Sequence, residues 1–146
     1  MPYLPKIILS LSTILLFQNL VAQDKSSLDP CPNSPNCVSA LAKKRSKKME
    51  PLQYDQSVKE AMADLKLIIS KVEGSELLAA EATYLHYAFH TKRGNFIDDV
   101  EFLLDSTAKV IHFRSASRVG YGDFGANKRR MKKISKSWFH YQNGGF

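Results

Sequence analysis

The sequence predicts an α+β domain of two layers, in which a three-stranded antiparallel meander is packed by an N-terminal helix and a basic C-terminal helix. Apolar residues recur at helical spacing in two segments, one on either side of the middle of the chain. Between them, apolar and polar residues alternate in three short runs, as they do in half-buried strands. The chain has 146 residues, so we expect residues 31–146 to form a single domain.

The N-terminus has the pattern of a secretory signal. Lys6 supplies the positive charge, residues 7–17 are largely apolar, and Ala22 offers a small residue for cleavage. We therefore predict a signal peptide over residues 1–22 and an extended lead-in over residues 23–36. An uncleaved anchor is the alternative, but the apolar run is shorter than the ~20 residues that a span requires. The protein is expected to be exported, periplasmic or secreted, with no membrane span after cleavage near Ala22.

The chain contains two cysteines, Cys31 and Cys37, separated by a segment rich in proline and asparagine. In an oxidising compartment this pattern is typical of a small disulfide loop. A redox pair or half of a metal site is the alternative, but those pairs usually have shorter spacings. We expect a structural disulfide and no bound metal.

The first helix has clear start and stop signals. Ser57 and Glu60 have the spacing of a capping box, and Gly74 is suited to a left-handed stop. Between these signals lies one apolar stripe: Val58, Ala61, Met62, Leu65, Ile68, Ile69 and Val72. A second helix is predicted over roughly residues 126–138. Its docking residues are Met131, Ile134 and Trp138.

Three strands are predicted between the helices, separated by turns at residues 92–95 and 105–108. Each strand alternates apolar and polar side chains, so one face of the meander is expected to be apolar. The stripe of the first helix is the natural cover for this face. The residues expected on it are Leu85, Tyr87, Phe89, Val100, Phe102, Ile111 and Phe113.

Polar side chains would share the opposite face of the meander. A symmetric second turn would pair Phe102 with Ile111, and Glu101 would then lie opposite His112. The first hairpin would bring His86 near Glu101. This register gathers a secondary polar face made of His86, Asp99, Glu101, His112 and Arg114.

Two interpretations of this polar face remain open. Asp99, Glu101 and His112 have the side chains of a hydrolase or a metal-dependent enzyme. Alternatively, they form the ordinary solvated face of an antiparallel sheet, on which opposite charges pair. Asp98 would point to the apolar side, where a carboxylate needs a partner such as Ser115.

Residues 114–130 are the densest stretch of possible chemistry. Arginine forks and hydroxyls suit an anion, glycines allow close backbone approach, and a helix starting near Ala126 would add free N–H groups. In the alternative interpretation, Asp123 caps that helix and pairs with an arginine. The candidate ligand-binding residues are Arg114, Ser115, Ser117, Arg118, Asp123, Asn127 and Arg130.

The chain is strongly basic, with a formal net charge of +7. Its basic residues concentrate in a segment at 43–48, which we interpret as a solvated loop, and in another at 128–136. Such surfaces attract an anionic small molecule, a lipid headgroup or an envelope polymer. We expect no nucleic-acid binding, because no stacking aromatics interleave with either cluster. No cofactor is expected.

Three motifs resemble the domain of unknown function family 1499. They are the segment 31–39 with its two cysteines, the segment 96–102, and the segment 114–120 followed by Asp123, Gly125 and Asn127. The resemblance implies an exported or membrane-tethered protein and no established reaction. It marks as motif positions Cys31, Cys37, Asp98, Asp99, Glu101, Arg114, Ser115, Ser117, Arg118, Asp123 and Asn127.

Three functions are compatible with these patterns. The first is an exported domain that binds an anionic ligand or envelope component through residues 114–130. The second is a hydrolase or metal-dependent enzyme. The third is a structural or interaction module in which the 114–130 segment forms an internal network of arginines and aspartates. A sealed network without an adjacent cavity would favour the third.

Overall fold

The computed structural model describes residues 24–92 and 95–145, and the predicted signal peptide lies outside the described residues. The chain forms a mixed α+β domain with two helices and an antiparallel sheet. The elements follow in the order β1 (Cys37–Ser39), β2 (Leu52–Gln53), α1 (Val58–Ser70), β3 (Ser75–Ala80), β4 (Tyr84–His90), β5 (Ile97–Asp105), β6 (Val110–Ser117) and α2 (Ala126–Gln142).

The sheet has six strands rather than the three predicted. Its order is β1-β6-β5-β4-β3, and β2 also pairs with β6. The predicted meander corresponds to β4, β5 and β6. Strands β1 and β2 have three and two residues, too few to show an alternating pattern. Strand β3 was missed because its sequence, Ser-Glu-Leu-Leu-Ala-Ala, is rich in residues that favour helices.

Helix α1 starts as predicted and ends earlier. The Ser57 side chain accepts a hydrogen bond from the backbone N–H of Glu60, and the Glu60 side chain accepts one from the backbone N–H of Ser57. The helix ends at Ser70, with Lys71 as its C-cap. Gly74 has the left-handed backbone expected of it, with φ of 79°, but it directs the chain into β3.

Both helices pack on one face of the sheet, which gives the predicted two layers. All seven residues expected on the apolar face belong to the core, together with Met131, Ile134 and Trp138 of α2. Helix α1 contributes Ala61, Met62, Leu65, Ile68 and Ile69. We call this face of the sheet the inner face and the opposite face the outer face.

The register between β5 and β6 differs by two residues from the prediction. Phe102 pairs with Phe113 and not with Ile111, so Glu101 lies opposite Arg114. A displacement by two residues leaves every side chain on its expected face, because the alternation has a period of two. It changes only which side chains are neighbours.

Asp105 explains the displacement. The strand runs through Asp105, so the turn covers residues 106–109 and not 105–108. The Asp105 carboxylate accepts hydrogen bonds from the backbone N–H groups of Thr107 and Ala108, at 2.9 and 2.8 Å. Lys109 closes the turn in a left-handed conformation with φ of 56°.

The predicted disulfide between Cys31 and Cys37 is present, and it closes a small loop before β1. Lys47, which follows this loop in the sequence, stabilises it, because its ammonium group donates to the backbone carbonyls of Pro32 and Ser34. Lys47 is buried, and burial, with the charge of Lys44 adding to it, lowers its pKa. The segment 43–48 is therefore more than the solvated loop that we predicted.

Candidate functional site: two polar networks on opposite faces of the sheet

The candidate site residues divide between the two faces at β5. Asp98 and Asp99 are adjacent in the strand, so their side chains point to opposite faces. Around Asp98, the inner network consists of Asn36, Asp98, Ser115, Ser117, Asp123, Asn127 and Arg130. Around Asp99, the outer network consists of Lys25, Tyr84, His86, Asp99, Glu101, Arg114 and Arg118.

An ion pair anchors the inner network. Arg130 Nη2 donates to Asp98 Oδ2 at 2.5 Å, and the two side chains are 12% and 3% exposed. The Arg130 guanidinium also lies 4.8 Å from the centre of the Phe89 ring. Asp98 thus has a cationic partner from α2, where Ser115 had been expected to partner it.

Asn127 connects the remaining members. Its buried side-chain oxygen accepts hydrogen bonds from Ser115 Oγ at 2.6 Å and from Arg130 Nη1 at 2.8 Å. Its nitrogen Nδ2 donates to Ser117 Oγ at 3.0 Å and to Asp123 Oδ2 at 2.9 Å. The polar groups that were candidates for ligand contacts are therefore bonded to one another.

Asp123 occupies the start of α2. Its two carboxylate oxygens accept the backbone N–H groups of Gly125 and Asn127, both at 2.8 Å. Burial alone would raise the pKa of Asp123, but these hydrogen bonds outweigh it and the pKa is lowered. Two of the N–H groups that could have received an external anion therefore already bind this carboxylate, and the N–H of Ala126 binds the backbone carbonyl of Asp123.

Arg118 and His86 are the hydrogen-bond partners of Asp99 on the outer face. Arg118 donates from Nε and Nη2 to the two carboxylate oxygens, both at 2.9 Å, and His86 Nε2 lies 2.8 Å from Oδ1. Burial acts to raise the pKa of Asp99, but the hydrogen bonds from Arg118 and His86 lower it overall. This fork-to-carboxylate geometry is the one that arginine would use for an external anion.

Glu101 is the most enclosed carboxylate of the outer face, at 5% exposure. Tyr84 donates to it at 2.7 Å, Arg114 donates at 3.2 Å, and the Lys25 ammonium group is a third partner. Burial would raise the pKa of Glu101, but the hydrogen bonds from Lys25 and Tyr84 lower it overall. His86 lies opposite Glu101 in the sheet, as predicted.

Sequence reasoning missed Lys25 and Tyr84. Lys25 comes from the lead-in, and it reaches Glu101 across a separation of 76 residues. No motif surrounds Lys25 in the sequence. The available signal was physical, because a carboxylate in the middle of a sheet usually needs a cation or a donor.

His112 does not join Asp99 and Glu101. It lies opposite Leu103, which is two residues farther along β5 than the predicted partner Glu101, and its buried Nδ1 has no hydrogen-bond partner among the described residues. The predicted pairing of His112 with Glu101 is therefore wrong. Within residues 24–92 and 95–145, no group of three or more His, Cys, Asp or Glu side chains is placed to hold a metal ion.

The cavities that we describe lie away from the ion pairs that Asp98 and Asp99 form with Arg130 and Arg118. The largest that we describe, about 750 Å³, is a groove between residues 49–55 and the second half of α2. A smaller one of about 320 Å³ is lined by Asp123, Phe124 and Lys128, among others. Neither Asp98 nor Arg130 lines any of the four cavities that we describe. None of these four cavities therefore adjoins the inner ion pair.

The inner network holds a loop, residues 118–125, that carries exposed apolar side chains. Val119 is 61% exposed, Tyr121 is 77% exposed and Phe124 is 99% exposed. The loop is fixed at several points. Asn36 Nδ2 donates to the carbonyl of Gly120 at 2.6 Å, and the Asp123 carboxylate accepts a hydrogen bond from the backbone N–H of Gly125 at the end of the loop. Sequence reasoning considered this stretch as an anion pocket or as a helix cap with turning glycines, and in neither case did it consider the apolar residues.

The fold and the site together define an α+β domain whose motif residues are bonded mainly to one another. The chain matches the family model described as a protein of unknown function (DUF1499) over residues 27–137, and it belongs to that family. No curated protein and no solved structure matches the chain. In the part of the chain that the structure describes, no helix combines the length and apolar composition needed to cross a membrane.

Proposed function

We propose that the protein is an exported binding module whose contact surface is the loop 118–125 with the solvent-facing side of α2. One observation carries the proposal: the inner network uses its polar groups to hold a loop whose apolar side chains stand in solvent. Exposed apolar groups cost free energy in water, and a cluster of them is typical of an interaction surface.

The contact surface overlaps the segment 114–130 for which we expected an anionic ligand, but its charges come from other residues. Arg114, Arg118 and Arg130 are each paired with a carboxylate of the sheet. Within residues 114–130, the exposed cations that take part in no ion pair are Lys128 and Arg129 of α2. The three arginines are thus occupied within the protein, and an anionic partner would contact the exposed cations of α2.

Export is part of the proposal and has two supports. The first is the signal pattern of residues 1–22. The second is the disulfide between Cys31 and Cys37, since such bonds persist in oxidising compartments. A binding module in the cell envelope would meet anionic lipids and polymers at its working location.

Amide hydrogen exchange tests the proposal. The oxidised protein is compared alone and with inorganic phosphate, citrate, heparin, anionic lipid vesicles, magnesium and zinc. The strongest partner is expected to protect residues 118–125 and the first turns of α2. Phe124→Ser should weaken that protection, whereas Leu67→Ser, at an exposed position of α1, should leave it unchanged.

Two results would overturn the proposal. One is a strongest partner that protects the groove between residues 49–55 and α2 while residues 118–125 exchange freely. The other is strong protection by a metal ion centred on the outer network, which would return the function to the enzyme alternative.

A further inference from the structure

We infer that the partner of this surface is an anionic lipid membrane; the inference rests on the proposed function and names its ligand. The Lys and Arg side chains supply all the full charges on the solvent-facing side of α2. The helix contains no Asp or Glu, and its core-facing positions are Asn127, Met131, Ile134 and Trp138. The exposed cations on the remaining surface are Lys128, Arg129, Lys132, Lys133 and Lys136.

These five cations are not neutralised by the protein. In the described part of the chain none of them takes part in an ion pair. From Lys128 to Lys136 the helix rises about 12 Å, so the charges act together over roughly one Debye length. The result is a compact surface of a single sign.

The apolar loop adjoins this cationic surface. Arg129 Nη1 donates to the carbonyl oxygen of Phe124 at 2.5 Å, so the guanidinium lies against the loop. Farther along the helix, Phe139 is 69% exposed. Apolar side chains therefore border the cations at both ends of the surface.

This combination has the chemistry of a membrane-surface element. Such elements insert aromatic and aliphatic side chains at the headgroup level, and their Lys and Arg residues attract anionic lipids. A protein partner fits less well, because lysine is depleted in the centre of protein interfaces and four of the five cations here are lysines. A uniform positive surface also offers a protein little to define one orientation.

Vesicle co-sedimentation tests the inference with the mature, oxidised protein. Vesicles of phosphatidylcholine alone are compared with vesicles that also contain phosphatidylglycerol. We expect binding to the anionic vesicles only, weakened by added salt. Lys132→Gln with Lys133→Gln should lower the partition coefficient about twenty-five-fold, since each lysine near an anionic surface contributes about fivefold.

Two further variants complete the design. Phe124→Ser should lower the partition coefficient about tenfold by removing an inserted ring. Lys59→Gln with Lys66→Gln removes the same charge from α1 and should change binding less than twofold by the same reasoning. Thermal unfolding checks that each variant is folded.

The outcomes separate this inference from the proposed function. No binding of the wild-type protein to either vesicle overturns the lipid assignment, and so does an equal loss in the α1 variant, which would indicate a general effect of net charge. If either occurs while another probe still protects residues 118–125, the binding module stands with a different ligand. If no probe protects the loop, both fail.

Discussion

Arg130 and Asp98 form an ion pair between α2 and β5, with a nitrogen–oxygen distance of 2.5 Å and little exposure of either side chain. The next residue of the strand, Asp99, pairs with Arg118 on the other face, where the arginine is 41% exposed. Two adjacent aspartates thus have the same chemistry and different burial. This contrast allows a direct test of how burial changes the contribution of an ion pair to the free energy of unfolding.

Asp98→Ala should cost about 3–5 kcal/mol of the free energy of unfolding, because it leaves the Arg130 guanidinium buried without its partner. Asp99→Ala is the matched control and should cost about 1 kcal/mol or less, because Arg118 can turn to water. Urea unfolding of both variants measures the difference. Equal losses would show that the inner pair is not sealed from solvent.

Acid should destabilise the protein through Glu101. Its pKa is lower in the folded protein than its usual value, so folding favours the ionised form. The resulting stability is fully present above the unfolded-state pKa of about 4.3 and is lost as the pH falls through the folded-state pKa. Glu101→Gln should therefore flatten the dependence of the unfolding free energy on pH below about 4.3.

The exposed Glu50 supplies the control for this measurement. Glu50→Gln should leave the acid dependence of the wild-type protein in place, because the change removes one carboxyl group without touching the outer network. An unchanged slope in Glu101→Gln would contradict the assignment of the acid effect to this carboxylate.

Gly74→Ala should be more destabilising than Gly144→Ala. The two glycines have nearly the same φ, 79° and 78°, so alanine meets the same backbone strain at both. At Gly74 an added Cβ would also overlap the carbonyl oxygen of His90, whereas Gly144 has open space. We expect losses of about 1 kcal/mol at Gly144 and at least about 2 kcal/mol at Gly74, measured by thermal unfolding. Similar losses would mean that β4 yields to the added methyl group.

Lys47→Met should cost about 1–3 kcal/mol, because it removes the donors to the carbonyls of Pro32 and Ser34 and keeps the length of the side chain. Lys48→Met, at an exposed neighbour, should change stability by less than about 0.5 kcal/mol. Chemical unfolding of the oxidised proteins compares the two. A neutral Lys47→Met would indicate that water replaces the ammonium group.

Periodicity predicted the parts of the fold that are long enough to show it. The apolar face of β4 to β6, the docking residues of α2 and five of the seven stripe residues of the first helix lie in the core, and Val58 and Val72 pack against it. The edge strands were missed because β1 and β2 are too short for a pattern and β3 resembles a helix in composition. The register error came from Asp105, whose carboxylate organises a turn one residue later than the symmetric turn assumed.

The candidate site was predicted as a segment but not as an arrangement. Ser115, Ser117, Asp123, Asn127 and Arg130 do lie together. Arg114 and Arg118 lie on the opposite face, because side chains along β6 alternate and Arg118 continues that alternation beyond the strand. The carboxylates that pair with the arginines come from β5, and pairing over such distances in sequence follows only from the register.

The adjacent aspartates of β5 have a consequence for how the strand finds its place. A slip of β5 by one residue that moves Asp98 to the position of Asp99 would still give Arg118 a carboxylate, but it would place Ile97 opposite Arg130. The same slip would carry Glu101 into the apolar layer and turn Val100 toward Lys25. The buried pair of Asp98 with Arg130 and the step from Val100 to Glu101 therefore both oppose this slip of the strand. The pair of Asp99 with Arg118 alone would not oppose it.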